Sequence, residues 1–198
     1  MNETYEYRRF KVAAGDWERF AERLHGDGAR VAQKCGGSLF GVWRGQIGLE
    51  ANEGIALTAW PDEEALASGA AALHGVFADA LESRAERLVA TLRPEDPAPP
   101  LRTGVYAFRF FSILDRDWPE FADLSARAWR GFESSYEARI CGFFRSLDVR
   151  PPDARVLLLT RYASLAVWEA SRADVVRPEF QRRHKLTRAT IVCTAVPG

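Results

Sequence analysis

Asp16-Trp17-Glu18-Arg19-Phe20 returns as Asp117-Trp118-Pro119-Glu120-Phe121, 101 residues further on. The echo extends both ways. Upstream, Tyr5, Tyr7 and Arg8 match Tyr106, Phe108 and Arg109; downstream, Gly41-Val42-Trp43-Arg44 matches Gly142-Phe143-Phe144-Arg145 at the same offset. Leu57-Thr58-Ala59-Trp60 then meets Leu159-Thr160-Arg161-Tyr162 at 102, and Leu88-Val89-Ala90-Thr91 meets Ile191-Val192-Cys193-Thr194 at 103. Blocks kept in one order at a nearly fixed spacing mark an internal repeat. The Pro-rich run Arg93-Pro94-Glu95-Asp96-Pro97-Ala98-Pro99-Pro100 separates the copies, because its prolines oppose helix and favour an extended spacer. The division expected is a first unit over residues 1–94, a linker over 95–101 and a diverged second unit over 102–198.

Within each copy the hydrophobic period switches in the same order. Residues 4–12 are rich in aromatic and β-branched types and alternate, as a strand does. Asp16 suits an N-cap, with Trp17, Phe20, Ala21 and Leu24 at helical spacing behind it. In the second copy Asp117 and Glu120 form the pattern of a capping box. Gly36-Gly37 stops the first helix, and strands are expected at 38–44 and 55–60, then at 140–145 and 156–162. Helical segments follow near 62–85 and 164–187, with Pro178 placed as at a helix start. Last strands close the copies near 87–92 and 189–195. The order β-α-β-β-α-β is the ferredoxin-like split βαβ unit, with both helices on one face of a four-stranded antiparallel sheet. The fold class is therefore α+β. Two tandem ferredoxin-like repeats are expected to turn their sheets toward each other as an α+β barrel within one chain.

With 27 basic and 27 acidic residues the formal net charge is zero, which disfavours a dedicated nucleic-acid binder. The 47% apolar and 27% charged composition is that of a globular protein and excludes a disordered chain. No apolar run approaches the roughly 20 residues of a membrane span, and the polar start lacks the pattern of a secretory signal. Cys35, Cys141 and Cys193 are odd in number and far apart, so free thiols and a cytoplasmic setting are expected.

Gly41-Val42-Trp43-Arg44-Gly45-Gln46-Ile47-Gly48, then Asn52, then Leu57-Thr58-Ala59-Trp60 resembles the pattern of the NIPSNAP family, and Glu6 with Arg8 resembles its opening Glu-x-Arg. The second copy keeps Arg109, Gly142 and Leu159-Thr160-Arg161-Tyr162 but lacks the Ile-Gly and the Asn. The resemblance covers essentially the whole chain as two consecutive copies. It implies the dimeric α+β barrel superfamily, which also holds cofactor-free monooxygenases, haem-degrading monooxygenases, chlorite dismutases and muconolactone isomerases. Fold alone does not carry function.

No Cys-x-x-Cys, no His-Glu-x-x-His and no nucleophile elbow is present, and the Gly36–Gly41 stretch follows a helix where a dinucleotide fingerprint would follow a strand. Neither metal nor nucleotide is expected, and no cofactor, with haem as an alternative. The remaining candidate is the space between the sheets. On the first strand Tyr5 and Tyr7 share one face, and Glu6, Arg8 and Phe10 the other; Tyr106 and Phe108, then Ala107, Arg109 and Phe111, are their counterparts. If the wholly apolar set packs on helices, Arg8 and Arg109 point between the sheets, where paired guanidinium groups suit a carboxylate or phenolate. The competing role is an internal ion pair such as Glu6 with Arg8. Trp43, Trp60 and Tyr162 are candidate aromatic walls, or core residues. His74 and His184 are candidate proton carriers, or the imidazole that ligates haem in relatives of this fold. Arg172, Arg177, Arg182, Arg183, Lys185 and Arg188 read as a solvated helix face. The expected partner is a small aromatic, polyketide-like or acidic molecule, with no nucleic acid and no membrane. Oxygenation, isomerisation or cyclisation stands beside simple ligand binding or a protein-interaction role. One chain suffices to close the barrel, and a homodimer is left open.

Overall fold

The computed structural model describes residues 3–95, 99–173 and 177–198. In the first half β1 (Thr4–Lys11) leads to α1 (Trp17–Arg23), which continues through a π-helical stretch, Leu24–Gly28, into α2 (Ala29–Lys34). Then come β2 (Ser38–Ile47), β3 (Glu53–Trp60), α3 (Glu63–Leu73), a 3-10 turn at His74–Phe77, and β4 (Glu82–Arg93). The second half repeats the order with β5 (Val105–Leu114), α4 (Trp118–Ser135), β6 (Ala138–Ser146), β7 (Asp153–Tyr162), α5 (Leu165–Ser171), α6 (Pro178–Leu186) and β8 (Thr187–Pro197). All neighbouring strands are antiparallel, and the eight close into one barrel in the order β1-β3-β2-β8-β5-β7-β6-β4. The two four-stranded sheets thus join edge to edge, β2 to β8 and β4 to β6. Closure removes free sheet edges and encloses a core.

The barrel interior is filled by Tyr5, Tyr7, Trp43, Leu57, Leu88, Tyr106, Phe108, Phe110 and Phe144, among others. Trp43 lies 5.3 Å from Tyr106 and 5.2 Å from Phe108, ring centre to ring centre, and Tyr5 lies 4.8 Å from Phe144. This reverses the expected facing. The apolar set on β1 and β5 points into the barrel, and Arg8 and Arg109 point outward beneath the helices. Both faces of these strands are buried, so alternation separates the faces without naming the inner one.

Outside the barrel each half has its own helix–sheet core. Phe10, Trp17, Phe20, Val42, Trp60, Leu66 and Phe77 form the first, and Phe111, Phe121, Trp129, Phe132, Phe143, Leu158 and Trp168 belong to the second. α4 packs by its spacing: Phe121, Leu124, Ser125, Ala128, Trp129 and Phe132 recur at three and four residues and are buried. The expected caps at Asp16 and Asp117 make no side-chain cap bond; Asp16 pairs with Arg19, and Glu120 reaches α6 instead of closing a capping box. The caps on α3 and α5 are the side chains of Asp62 and Ser164.

Strand register also corrects the last repeat block. Thr4 pairs with Trp60 and Val105 with Tyr162, but Tyr5 pairs with Leu88 and Tyr106 with Ala195. The offset therefore grows from 102 (Trp60 to Tyr162) to 107 (Leu88 to Ala195), leaving five extra residues in the second copy between β7 and β8. Those residues fall in the stretch that includes α6. No described helix is long and apolar enough to cross a membrane.

Candidate functional site

The two outward arginines at equivalent positions have unlike surroundings. Arg8 Nε donates to Glu6 Oε1 at 2.8 Å, its Nη1 to Ser83 Oγ at 3.0 Å, and its guanidinium lies 4.7 Å from the Phe77 ring centre. The internal ion pair considered for Arg8 is what the first half contains. In the second half the counterpart of Glu6 is Ala107, which brings no charge. Arg109 is partly buried and has no carboxylate partner among the described residues. Burial holds its pKa below the ordinary arginine value.

Arg109 faces a half-open cavity of about 560 Å³ between the second sheet and α4, α5 and α6. Trp129, Phe132, Trp168 and Phe180 supply aromatic wall, and Arg183 a second guanidinium. Arg183 stands 5.0 Å from the Phe180 ring centre and 5.2 Å from that of Phe111, with Nη1 donating to Ser125 Oγ at 3.3 Å. It too lacks a carboxylate among the described residues; burial first, then the like charge of Arg109, pushes its pKa down to about 10. The indole N–H groups of Trp129 and Trp168 are buried with no acceptor among the described residues. Among the described residues the wall is rich in donors and carries no carboxylate, the complement of an acidic, flat, largely apolar molecule.

The sequence candidates divide. Arg109 and His184 line this cavity, with the His184 side chain on the solvent side. Tyr162 is buried next to it, its pKa raised by burial against the opposing effects of Ser171, Arg109, Thr160 and Arg183. Arg8 is neutralised by Glu6. Trp43 belongs to the barrel interior and borders a separate cleft of about 440 Å³ beside His25 and Pro99–Arg102. Trp60 is on the helix side of the first half, not between the sheets; its Nε1 donates to Thr58 Oγ1 at 2.9 Å, and its ring passes where any Cβ at Gly37 or Gly69 would stand. His74 is exposed on the 3-10 turn, away from both. The face read as solvated is split: Arg182 is outside and forms a bidentate pair with Glu120, and Arg183 is turned inward. From the sequence Arg183 reads as part of a solvated face, and Trp129, Trp168 and Phe180 carry no site signal. The replacement of Glu6 by Ala107 was visible there, as was the Phe180–Arg183 spacing of three on one helix face.

The three cysteines are free and partly buried, with Cys141 and Cys193 pushed up to about 11, chiefly by burial, so neither offers a ready thiolate. The described residues contain no cluster of metal-ligating side chains.

No known protein family matches this sequence, and no curated protein does. Solved structures match it by fold. A candidate monooxygenase from Lactobacillus acidophilus is 14% identical with a TM-score of 0.63, the match covering 99% of this chain and 94% of that one. An anthrone oxidase-like protein is 12% identical with a TM-score of 0.66, covering 99% and 91%. A heme-binding protein from Thermus thermophilus is 14% identical with a TM-score of 0.58, covering 100% and 92%. The expectation of no cofactor is corrected by that last likeness, since the fold over its whole length is one that a heme-binding protein uses. The NIPSNAP resemblance finds no separate support. What these likenesses establish is the fold: an α+β barrel of the kind found in monooxygenase-like proteins.

Proposed function

We propose that this protein binds a flat, acidic, largely apolar small molecule in the cavity of its second half, between the sheet and α4–α6. The observation that carries the reading is Arg109, a partly buried guanidinium on an aromatic-walled cavity of about 560 Å³ whose repeat-related carboxylate has become Ala107. A buried arginine without an anion is costly, and a ligand carboxylate or phenolate removes that cost with planar bidentate hydrogen bonds. The site expected between the sheets is relocated by this reading, because side chains occupy the barrel interior. In its enzymatic form, oxygenation, isomerisation or cyclisation of the ligand, Tyr162 and His184 are the proton-carrying groups at or beside the wall. The candidate monooxygenase and the anthrone oxidase-like protein of the same fold support that form. Because the barrel closes within one chain, a monomer suffices.

The test is direct. The absorption spectrum of freshly purified protein and mass spectrometry of what it releases on denaturation should reveal a bound aromatic acid. Failing a co-purified ligand, titration with 2-naphthoate should quench tryptophan fluorescence, and Arg109→Ala should weaken that binding at least about tenfold. Unchanged affinity in Arg109→Ala contradicts the proposal.

Haem is a second reading, favoured by His184 on the cavity wall and by the heme-binding protein that shares the fold. The residues present fit the group: one imidazole on α6, aromatic walls from Trp129, Phe132, Trp168 and Phe180, and guanidinium groups at Arg109, Arg172 and Arg183 for two propionates. Bound haem would supply a redox-active iron. The chain itself would orient the ring by its aromatic walls and neutralise the carboxylates. Hemin titration should then give a Soret band that shifts in His184→Ala; an unshifted band leaves the small-acid reading alone.

A further inference from the structure

We propose that the ligand places its carboxylate beside Ala107, on Arg109, in the position that Glu6 fills on Arg8, so that the substrate class is an aryl carboxylic acid. This rests on the cavity being a ligand site, and narrows what it takes. The first half shows the same layer occupied by the protein's own groups. There a carboxylate, Glu6, sits on the arginine at 2.8 Å and is only 4% exposed. A flat bicyclic ring, Trp60, fills the space between β3 and α3 and donates to Thr58.

In the second half the frame is kept and the filling is changed. Arg109 stands for Arg8 and Thr160 for Thr58, and both line the cavity. The carboxylate is gone, with Ala107 in place of Glu6. The bicycle is reduced to Tyr162 in place of Trp60, and Gly69, which lets the indole pass, becomes Ser171. The five extra residues of this copy fall between β7 and β8, in the stretch that includes α6, and α6 carries Phe180 and Arg183 to the cavity. One copy therefore holds a carboxylate on its arginine and an indole at the Trp60 position, and the other has, among the described residues, an arginine with no carboxylate, beside a cavity. An aryl acid supplies an anion for Arg109 and a flat ring that stacks among the aromatic walls.

The experiment is calorimetric titration of the full chain with 2-naphthoate and the neutral 2-naphthamide, comparing wild type with Ala107→Glu and Ala107→Gln. Glutamate at 107 recreates the first half's ion pair and repels the ligand acid; glutamine matches its size without its charge. Naphthoate should bind wild type at least about tenfold tighter than naphthamide. Ala107→Glu should weaken naphthoate at least about tenfold, and Ala107→Gln by about threefold or less. Equal losses in the two variants would show that bulk alone matters and overturn the placement. Unchanged naphthoate affinity in Ala107→Glu would overturn it too, and leave the cavity reading standing. Binding of neither probe to wild type would contradict both. Should Ala107→Glu fail to fold, Arg109→Gln decides: the preference for acid over amide must collapse, and its persistence overturns the placement.

Discussion

Arg109 and Arg183 define the chemistry of the second half because no carboxylate among the described residues balances them. The folded-state pKa of Arg183, about 10, is below the ordinary value, so its charged form is disfavoured by folding. The sign follows: below pH 10 the folded protein carries a destabilising charge, and that penalty is relieved as pH rises through about 10. Replacing Arg183 by Met should therefore stabilise the protein at pH 7, on the order of 1–3 kcal/mol in urea unfolding, and weaken acid binding. The stability gain should shrink as pH passes about 10. Equal or lower stability of Arg183→Met at pH 7 would show that the charge is already satisfied. The same residues explain what the sequence could disclose. The Glu6–Arg8 pair, and its absence at Ala107 and Arg109, was legible from the repeat. The inward turn of Arg183 was not, because six cationic residues close together look like a solvated face until α4 is packed against them.

Elements decide how tightly each half is filled. In the first half Trp60 fits only because Gly69 on α3 has no side chain; a Cβ there would stand 2.0 Å from the ring. Gly69→Ala should cost about 1–3 kcal/mol in thermal or denaturant unfolding, through forced displacement of the indole. In the second half α6 has no fully buried residue and is tied to α4 by the Arg182–Glu120 pair at 2.6 and 2.9 Å. Because α6 carries Phe180, Arg183 and His184 on the cavity wall, Glu120→Gln should speed release of bound naphthoate in stopped-flow displacement and leave the unfolding midpoint nearly unchanged. Unaltered release would mean that the Arg182–Glu120 pair does not hold α6 over the cavity. Strand and helix order was readable from the switching hydrophobic period, and the aromatic alternation of β1 and β5 separated their faces. Which face turned inward was not readable, since a closed barrel under helices buries both. Likewise the 103-residue offset of the last block came from similar side chains, and backbone pairing moved it to 107.

At the scale of the molecule, barrel closure by both sheet junctions places each half's helices on the outside, so two equivalent helix–sheet layers exist, and the cavity of about 560 Å³ lined by Arg109 and Arg183 lies in the second. One acid should bind per chain. Charged pairs occupy one end of the barrel. Arg9 donates to Glu53 at 2.9 and 2.7 Å, and Arg155 lies 3.4 Å from Glu86. Burial tends to raise the Glu53 pKa, but the bonds from Arg9 and the Glu50 amide outweigh it, and the carboxyl ends below its ordinary value. Its contribution is therefore full above about pH 4.5 and is lost as pH falls through the lowered folded value. Glu53→Gln should flatten the acid limb of the pH–stability curve; an unchanged limb would remove Glu53 from that role.

The most direct measurement is a crystal structure of the protein grown with 2-naphthoate at saturation. The account predicts one ligand per chain beneath α4, α5 and α6, its carboxylate on Arg109 beside Ala107 and its rings among Trp129, Phe132, Trp168 and Phe180. Naphthoate inside the barrel, in the first half, or nowhere in the chain would contradict it.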